Sequence, residues 1–212
     1  MTLYGYWRSS AAYRVRIALN LKGIEHQHKS VHLVKDGGQQ HSADYQTLNP
    51  NELVPTLDDD GFIVNQSLAI IDYLDEKHPQ PALYPKDIKD KATVKALAYD
   101  IACDIHPLNN LRVLQYLSTE LSVTDQQKTA WYQHWIQQGF NALEQQLAKT
   151  AGQFCFGDTV TVADLCLIPQ IYNAKRFNVD LTPYPTLLKI DANCHQLAAF
   201  VEALPEHQID AV

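Results

Sequence analysis

The 212-residue chain has no run of five or more lysines and arginines. Its 24 acidic residues outnumber 17 basic ones, for a net charge of -7. That balance argues against nucleic acid or an anionic membrane as the main partner. No apolar run approaches the roughly 20 residues needed to cross a bilayer. The opening MTLYGYWRSS has no long apolar stretch after a charged start, so no secretory leader is expected and the cytoplasm is the expected setting. Cysteine is scarce: Cys103, Cys155, Cys166 and Cys194 are scattered, with no CxxC pair. Reduced, mostly buried thiols are expected rather than a disulfide framework. His26, His28 and His32 are spaced to share one face of a strand, but no cysteine or carboxylate set accompanies them. A solvated strand face is expected there, and no metal site.

What is present is a chain 46% hydrophobic, enough for a sizeable core in one large domain or two small ones. Residues 2–6 form a short β-rich run. Residues 11–23 then show apolar residues at helical spacing, with serine before them to cap the start and Gly23 to end it. Residues 25–33 read as a second strand, which makes a βαβ unit. A turn at KDGG (35–38) and a short helix to about Thr47 follow, ended by Asn49-Pro50. VPTL (54–57), the turn DDDG (58–61) and FIVN (62–65) read as an antiparallel hairpin. Gln66-Ser67 opens an amphipathic helix. The order βαβαββα is that of a thioredoxin-like domain over residues 1–80. Residues 81–90 are proline-rich and read as a linker. Residues 91–212 are expected to form an all-α domain, with helical patterns over 91–118, 124–149, 161–175 and 184–203.

Ser9 and Ser10 stand where the first strand meets the first helix. A helix N-terminus presents unpaired N–H groups and partial positive charge, so it favours an anion. Lowering a thiol's pKa from about 8.5 by about two units takes roughly 2.7 kcal/mol. The helix end supplies about 0.3–2 kcal/mol, and a hydroxyl donating to the charge about 1.5–3 kcal/mol. Together they suffice; a cap and nothing more is the competing role for either serine. Val54-Pro55 begins a strand, and a cis bond there would turn the Val54 backbone outward to meet an extended peptide. Gln66-Ser67 opens another helix, a second place for a carboxylate.

RSSAAYRVRIAL (8–19), KDGGQQ (35–40), NPNELVPTL (49–57), QSLAII (66–71), DIHPLNN (104–110) and RFNVDLTPYP (176–185) together resemble the zeta-class glutathione transferases. That class includes maleylacetoacetate and maleylpyruvate isomerases, and the likeness covers nearly the whole chain. The resemblance implies a glutathione transferase fold and glutathione as cofactor. It implies that Ser9 or Ser10 activates the thiol, that Val54 before a cis-Pro55 pairs with the cysteinyl backbone, and that Gln66 and Ser67 hold the γ-glutamyl end. Gln40 or His41 would lie near the glycyl end. His106, Asn109 and Asn110, one helical turn apart, would face the thiol pocket; a polar helix face near Pro107 is the alternative for the two asparagines.

The implied reaction is cis–trans isomerisation of a maleyl-type diacid by thiolate addition, bond rotation and elimination. Arg8 and Arg176, with Arg112 as a third, are the expected carboxylate-binding cations, because a guanidinium fork binds carboxylates bidentately. Arg14 and Arg16 are expected in structural ion pairs or dimer contacts. Family members commonly carry Ser-Ser-Cys; here the third position is Ala11, so no protein cysteine can be required there. Thr161 and Asp164 resemble a capping box and read as a folding element. A homodimer and a place in aromatic amino acid breakdown are implied by the resemblance only. Two other functions stay open: a general conjugating transferase or peroxidase, and a non-catalytic interaction module of the same fold. The choice between maleylacetoacetate and maleylpyruvate, and between the two serines, also stays open.

Overall fold

The computed structural model describes every residue, Met1–Val212. It divides into two compact units: Met1–Ala82 together with Gln196–Val212, and Leu83–His195. Residues 196–212, expected with the helices of the second domain, thus pack with the first unit. Arg16 shows why. Its Nε and Nη2 donate to the Ala203 carbonyl at 3.1 and 3.0 Å, and Nη2 also donates to the Trp7 carbonyl at 3.0 Å.

The first unit is built on a four-stranded sheet in the order β2-β1-β3-β4. Strand β1 (Thr2–Gly5) is central, parallel to β2 (Gln27–Ser30) and antiparallel to β3 (Thr56–Asp59), which pairs antiparallel with β4 (Phe62–Asn65). The hairpin turn forms because the Asp58 carboxylate accepts the Gly61 N–H at 2.8 Å, and Gly61 adopts φ 93°, a conformation glycine tolerates. Strand β2 is shorter than the expected 25–33. It lies at the sheet edge, and after Val31 donates to the Gly5 carbonyl the chain leaves the ladder.

Helix α1 (Ser10–Leu21) starts at Ser9, whose hydroxyl oxygen accepts the Ala12 N–H, and it buries Ala12, Tyr13, Val15, Ile17, Ala18 and Leu19. Helix α3 (Ser67–Lys77) packs beside α1, α2 (Ala43–Leu48) lies against Tyr4 and Tyr6 through Tyr45, and the expected βαβαββα order is present. A last short helix, α9 (Ala198–Glu202), packs against α1.

The second unit contains α4 (Ile88–Tyr99), α5 (Leu111–Thr119), α6 (Asp125–Thr150), α7 (Val162–Arg176) and α8 (Pro185–Cys194). Asp87 caps α4, and Thr124 with Gln127 forms a capping box on α6. The expected continuous helix over 91–118 is broken: a π-helical segment, Asp100–Ile105, leads into a 3-10 turn, His106–Asn109. Pro107 has no N–H for the helical ladder there. Gly139 on α6 admits the Ile105 side chain, since a Cβ at that position would lie 2.2 Å from Ile105 Cδ1. The pattern over 184–203 likewise breaks between α8 and α9. No helix is long and apolar enough to cross a membrane.

Helix α7 is buried along most of its length, and Asp164, fully buried, secures its start. One carboxylate oxygen accepts the Thr161 N–H at 2.8 Å and the Thr161 hydroxyl at 3.0 Å; the other accepts the Cys155 N–H at 2.7 Å. Asp164→Ala would strand two buried N–H groups, so we expect a loss of about 3 kcal/mol. For a chain of this size that is a Tm drop of about 10 °C. Thermal unfolding followed by circular dichroism checks it; an unchanged Tm would show that the carboxylate is dispensable.

Candidate functional site

Three pieces of the first unit meet at one end of its sheet. The first is the loop from β1 into α1. The Ser9 N–H donates to the Tyr6 carbonyl at 2.9 Å, and the Ser9 hydroxyl caps α1 at 3.2 Å from the Ala12 nitrogen. Accepting that bond leaves the hydroxyl proton available as a donor. Ser10 begins the helix and is buried (7% exposed), whereas Ser9 is partly exposed. Arg8 lies with its guanidinium carbon 4.7 Å from the Trp7 ring centroid and donates to the Tyr6 hydroxyl at 3.2 Å.

The second piece is the turn before β3. The register pairs Tyr4 with Thr56, which sets Val54 and Pro55 beside the strand end that feeds the Ser9 loop. The Val54–Pro55 bond is cis, as the resemblance implied. Val54 packs with Tyr6, Trp7, Val31 and Tyr45 in one apolar cluster. Its neighbour Leu53 is held through its carbonyl, which accepts from the Tyr45 hydroxyl and the Asn49 amide, both at 2.7 Å. Burial raises the Tyr45 phenol above its ordinary pKa, so it remains a donor. Neither backbone group of Val54 has a partner within the chain. Gln40 is buried, its amide nitrogen 3.3 Å from the Leu33 carbonyl and 3.0 Å from His41 Nε2. His41 Nδ1 lies 2.5 Å from the Glu52 carboxylate, two residues before Val54. These two residues are therefore tied to the same turn.

The third piece is the start of α3. Gln66 adopts φ 72° and ψ 117°, outside the helical region, and its side chain does not cap the helix. A non-glycine residue in such a region stores of order 1–3 kcal/mol, and strain of this kind concentrates at ligand sites. Ser67 is buried, and its hydroxyl accepts from Arg14 Nη1 at 3.2 Å. Arg14 is not in the expected ion pair: its Nε and Nη2 have no acceptor in the chain. The described bonds of Arg16 go to carbonyl oxygens instead.

In the second unit His106–Asn109 form a 3-10 turn instead of part of one continuous helix, and Asn110 follows as its cap. Asn109 is buried and donates to the Tyr132 carbonyl at 3.2 Å; Asn110 caps α5 by accepting the Arg112 N–H at 3.1 Å. Arg112 is exposed in the first turn of α5. Arg176 is exposed at the end of α7, 5.1 Å from the Phe177 ring centroid, and Phe177 stacks on Tyr132 at 3.6 Å.

The histidine face of β2 is not solvated as expected. His28 Nε2 lies 3.4 Å from the Asp210 carboxylate, with its side chain 11% exposed, and burial outweighs that carboxylate to lower its pKa. Asp210 also accepts the Trp7 N–H at 3.2 Å and the Ser30 hydroxyl at 2.7 Å, so the C-terminal segment braces the Ser9 loop. The four cysteines are free; Cys155, Cys166 and Cys194 are buried and Cys103 is exposed. Burial pushes the Cys155 and Cys194 thiols well up, away from thiolate chemistry. Arg14, Tyr45 and Asp210 escaped sequence reasoning as parts of this site, because their partners lie far along the chain and no local motif announces them.

Residues 3–82 match the family model of the glutathione S-transferase N-terminal domain, and residues 125–203 that of the C-terminal domain. A probable maleylacetoacetate isomerase of Vibrio cholerae serotype O1 is 54% identical over 211 residues, covering 100% of this chain and 98% of its own. A holo structure of maleylpyruvate isomerase, described as a bacterial zeta-class glutathione S-transferase, superposes with a TM-score of 0.97 at 45% identity over 100% of both chains. A maleylacetoacetate isomerase from Methylobacterium extorquens AM1, solved with malonate and glutathione bound, has a TM-score of 0.94 at 40% identity, again over 100% of both chains.

Proposed function

The chain belongs to the glutathione S-transferase family, and from that premise we propose that it is a glutathione-dependent cis–trans isomerase of a maleyl-type diacid, maleylacetoacetate or maleylpyruvate. The observation that carries the reading is the hydroxyl-capped start of α1 beside a Val54 backbone with no partner in the chain. An extended peptide can take up the Val54 N–H and C=O by strand-like pairing. Ser67 and Gln66, at the start of α3, suit the γ-glutamyl end of such a peptide, and Gln40 with His41 suits the glycyl end. Asn109 Oδ1 is a buried acceptor without a partner, and His106 and Asn110 flank it on the same stretch.

Bound glutathione would supply a thiolate that adds to one carbon of the maleyl double bond, with the π electrons moving onto the conjugated carbonyl. The bond, now single, would rotate, and return of the electrons would re-form it and expel the thiolate. Ser9 is the better candidate for donating to the sulfur, because it is partly exposed while Ser10 is buried. The helix N-terminus beneath it favours the charged form. Arg176, Arg112 and Arg8 would orient the two carboxylates, and a guanidinium there stabilises negative charge that spreads onto the carbonyl oxygen during addition. The buried cysteines offer no competing nucleophile. By likeness to the family, the reading extends to a cytoplasmic homodimer acting in aromatic amino acid breakdown.

The test follows the absorbance of maleylpyruvate and of maleylacetoacetate with and without glutathione, while free thiol is measured in parallel. We expect isomerisation only with glutathione and no loss of thiol. Equal rates without it would sink the mechanism, and stoichiometric thiol loss would favour a conjugating transferase.

A further inference from the structure

Arg14 lies inside α1 and is 2% exposed, yet no carboxylate of the chain accepts from its Nε or Nη2. A guanidinium stays charged, and a buried charge without a counter-anion is strongly unfavourable. Its one described bond runs from Nη1 to the Ser67 hydroxyl oxygen at 3.2 Å. Ser67 is the first residue of an 11-residue helix, whose N-terminal amide groups already favour an anion. The residue before it, Gln66, holds the strained backbone described above. Two independent features, a helix start and a buried unpaired cation, therefore converge on the same hydroxyl.

We propose that Arg14 is a positioning residue that holds Ser67 ready for a carboxylate, and that this carboxylate is the α-carboxylate of glutathione's γ-glutamyl residue. The inference rests on the glutathione reading above. By donating to the Ser67 oxygen, Arg14 occupies one of its lone pairs and leaves the hydroxyl proton to point at the ligand. Its charge adds to that of the helix start in a site shielded from water. The carboxylate in turn supplies the counter-charge that the chain itself does not provide.

The experiment is a calorimetric binding cycle using the full chain without substrate. The ligands are glutathione and 4-aminobutyryl-cysteinylglycine, which lacks only the γ-glutamyl α-carboxylate; the proteins are wild type and Arg14→Gln. Arg14→Gln should weaken glutathione binding about fivefold, the share of one hydrogen bond, and leave binding of the decarboxylated analogue unchanged. Equal weakening for both ligands, or no weakening for either, overturns the role of Arg14. Wild-type protein that binds no glutathione overturns the underlying reading as well, and so the two failures are distinct. If Arg14→Gln does not fold, Arg14→Lys takes its place in the cycle. It keeps the charge but not the fork, and it should lose part of the discrimination between the two ligands; full retention overturns the proposal.

Discussion

Alanine in place of Arg176 is expected to lower kcat/KM for a maleyl-type diacid by about a hundredfold, the effect of removing one donor that stabilises developing charge. The same variant should conjugate a neutral electrophile to glutathione at nearly the wild-type rate. The contrast isolates the carboxylate contact, because Arg176 is exposed at the end of α7 and its removal disturbs little packing. Stability should change by no more than about 0.5 kcal/mol. Arg176 rests on Phe177, which is itself stacked on Tyr132, so the fork starts from a supported position. Lysine keeps the charge without the planar fork and should recover only part of the rate. Steady-state kinetics on both substrate types checks this, and an equal loss on the two would remove Arg176 from the site.

Ser9→Ala should cost about three- to twenty-fivefold at neutral pH, the fall in thiolate fraction when a thiol at about 6.5 rises by one to two units. A hydrogen bond to a charged sulfur contributes about 1.5–3 kcal/mol, or roughly one to two pKa units. The loss should shrink as the pH rises past about 8.5, where a free thiol ionises unaided. Ser9 also caps α1, so alanine removes about 1 kcal/mol of stability as well. Ser9→Asp separates the two roles. Aspartate caps as well as serine does, but it has no proton to donate and its charge repels a thiolate. It should therefore keep the stability and lose the activity. Ser10→Ala, at a buried position one residue into the helix, should lose far less. A pH–rate profile for the three variants, with unfolding curves alongside, decides between capping alone and capping with activation.

Features with local causes were legible in the sequence. A serine before an apolar helical pattern, the Asp58–Gly61 turn, and a threonine three residues before an aspartate act over a few residues, and each is found where its residue types place it. The two prolines that matter most divided on the same ground. Pro55 stands just before a strand as its missing N–H requires, but Pro107 lies within a break beside which Ile105 closely approaches Gly139. That contact joins residues 34 positions apart, and no helical periodicity encodes it. Arg14 and Arg16 share one helix and one residue type but differ in surroundings: one turns to Ser67, the other to Ala203. The bracing of the Ser9 loop by Asp210 spans 203 residues. Long-range partners of this sort are set by tertiary packing, and they are the part of the site that sequence pattern could not supply.

The most direct measurement is the ionisation of glutathione's thiol while bound to the wild-type protein, titrated through the ultraviolet absorbance of the thiolate. A sulfur lying against the capped start of α1 should titrate about two units below the free value of about 8.5, and Ser9→Ala should reverse at least half of that shift. Bound glutathione that ionises at the pH of the free thiol, in wild type and variant alike, would contradict the account.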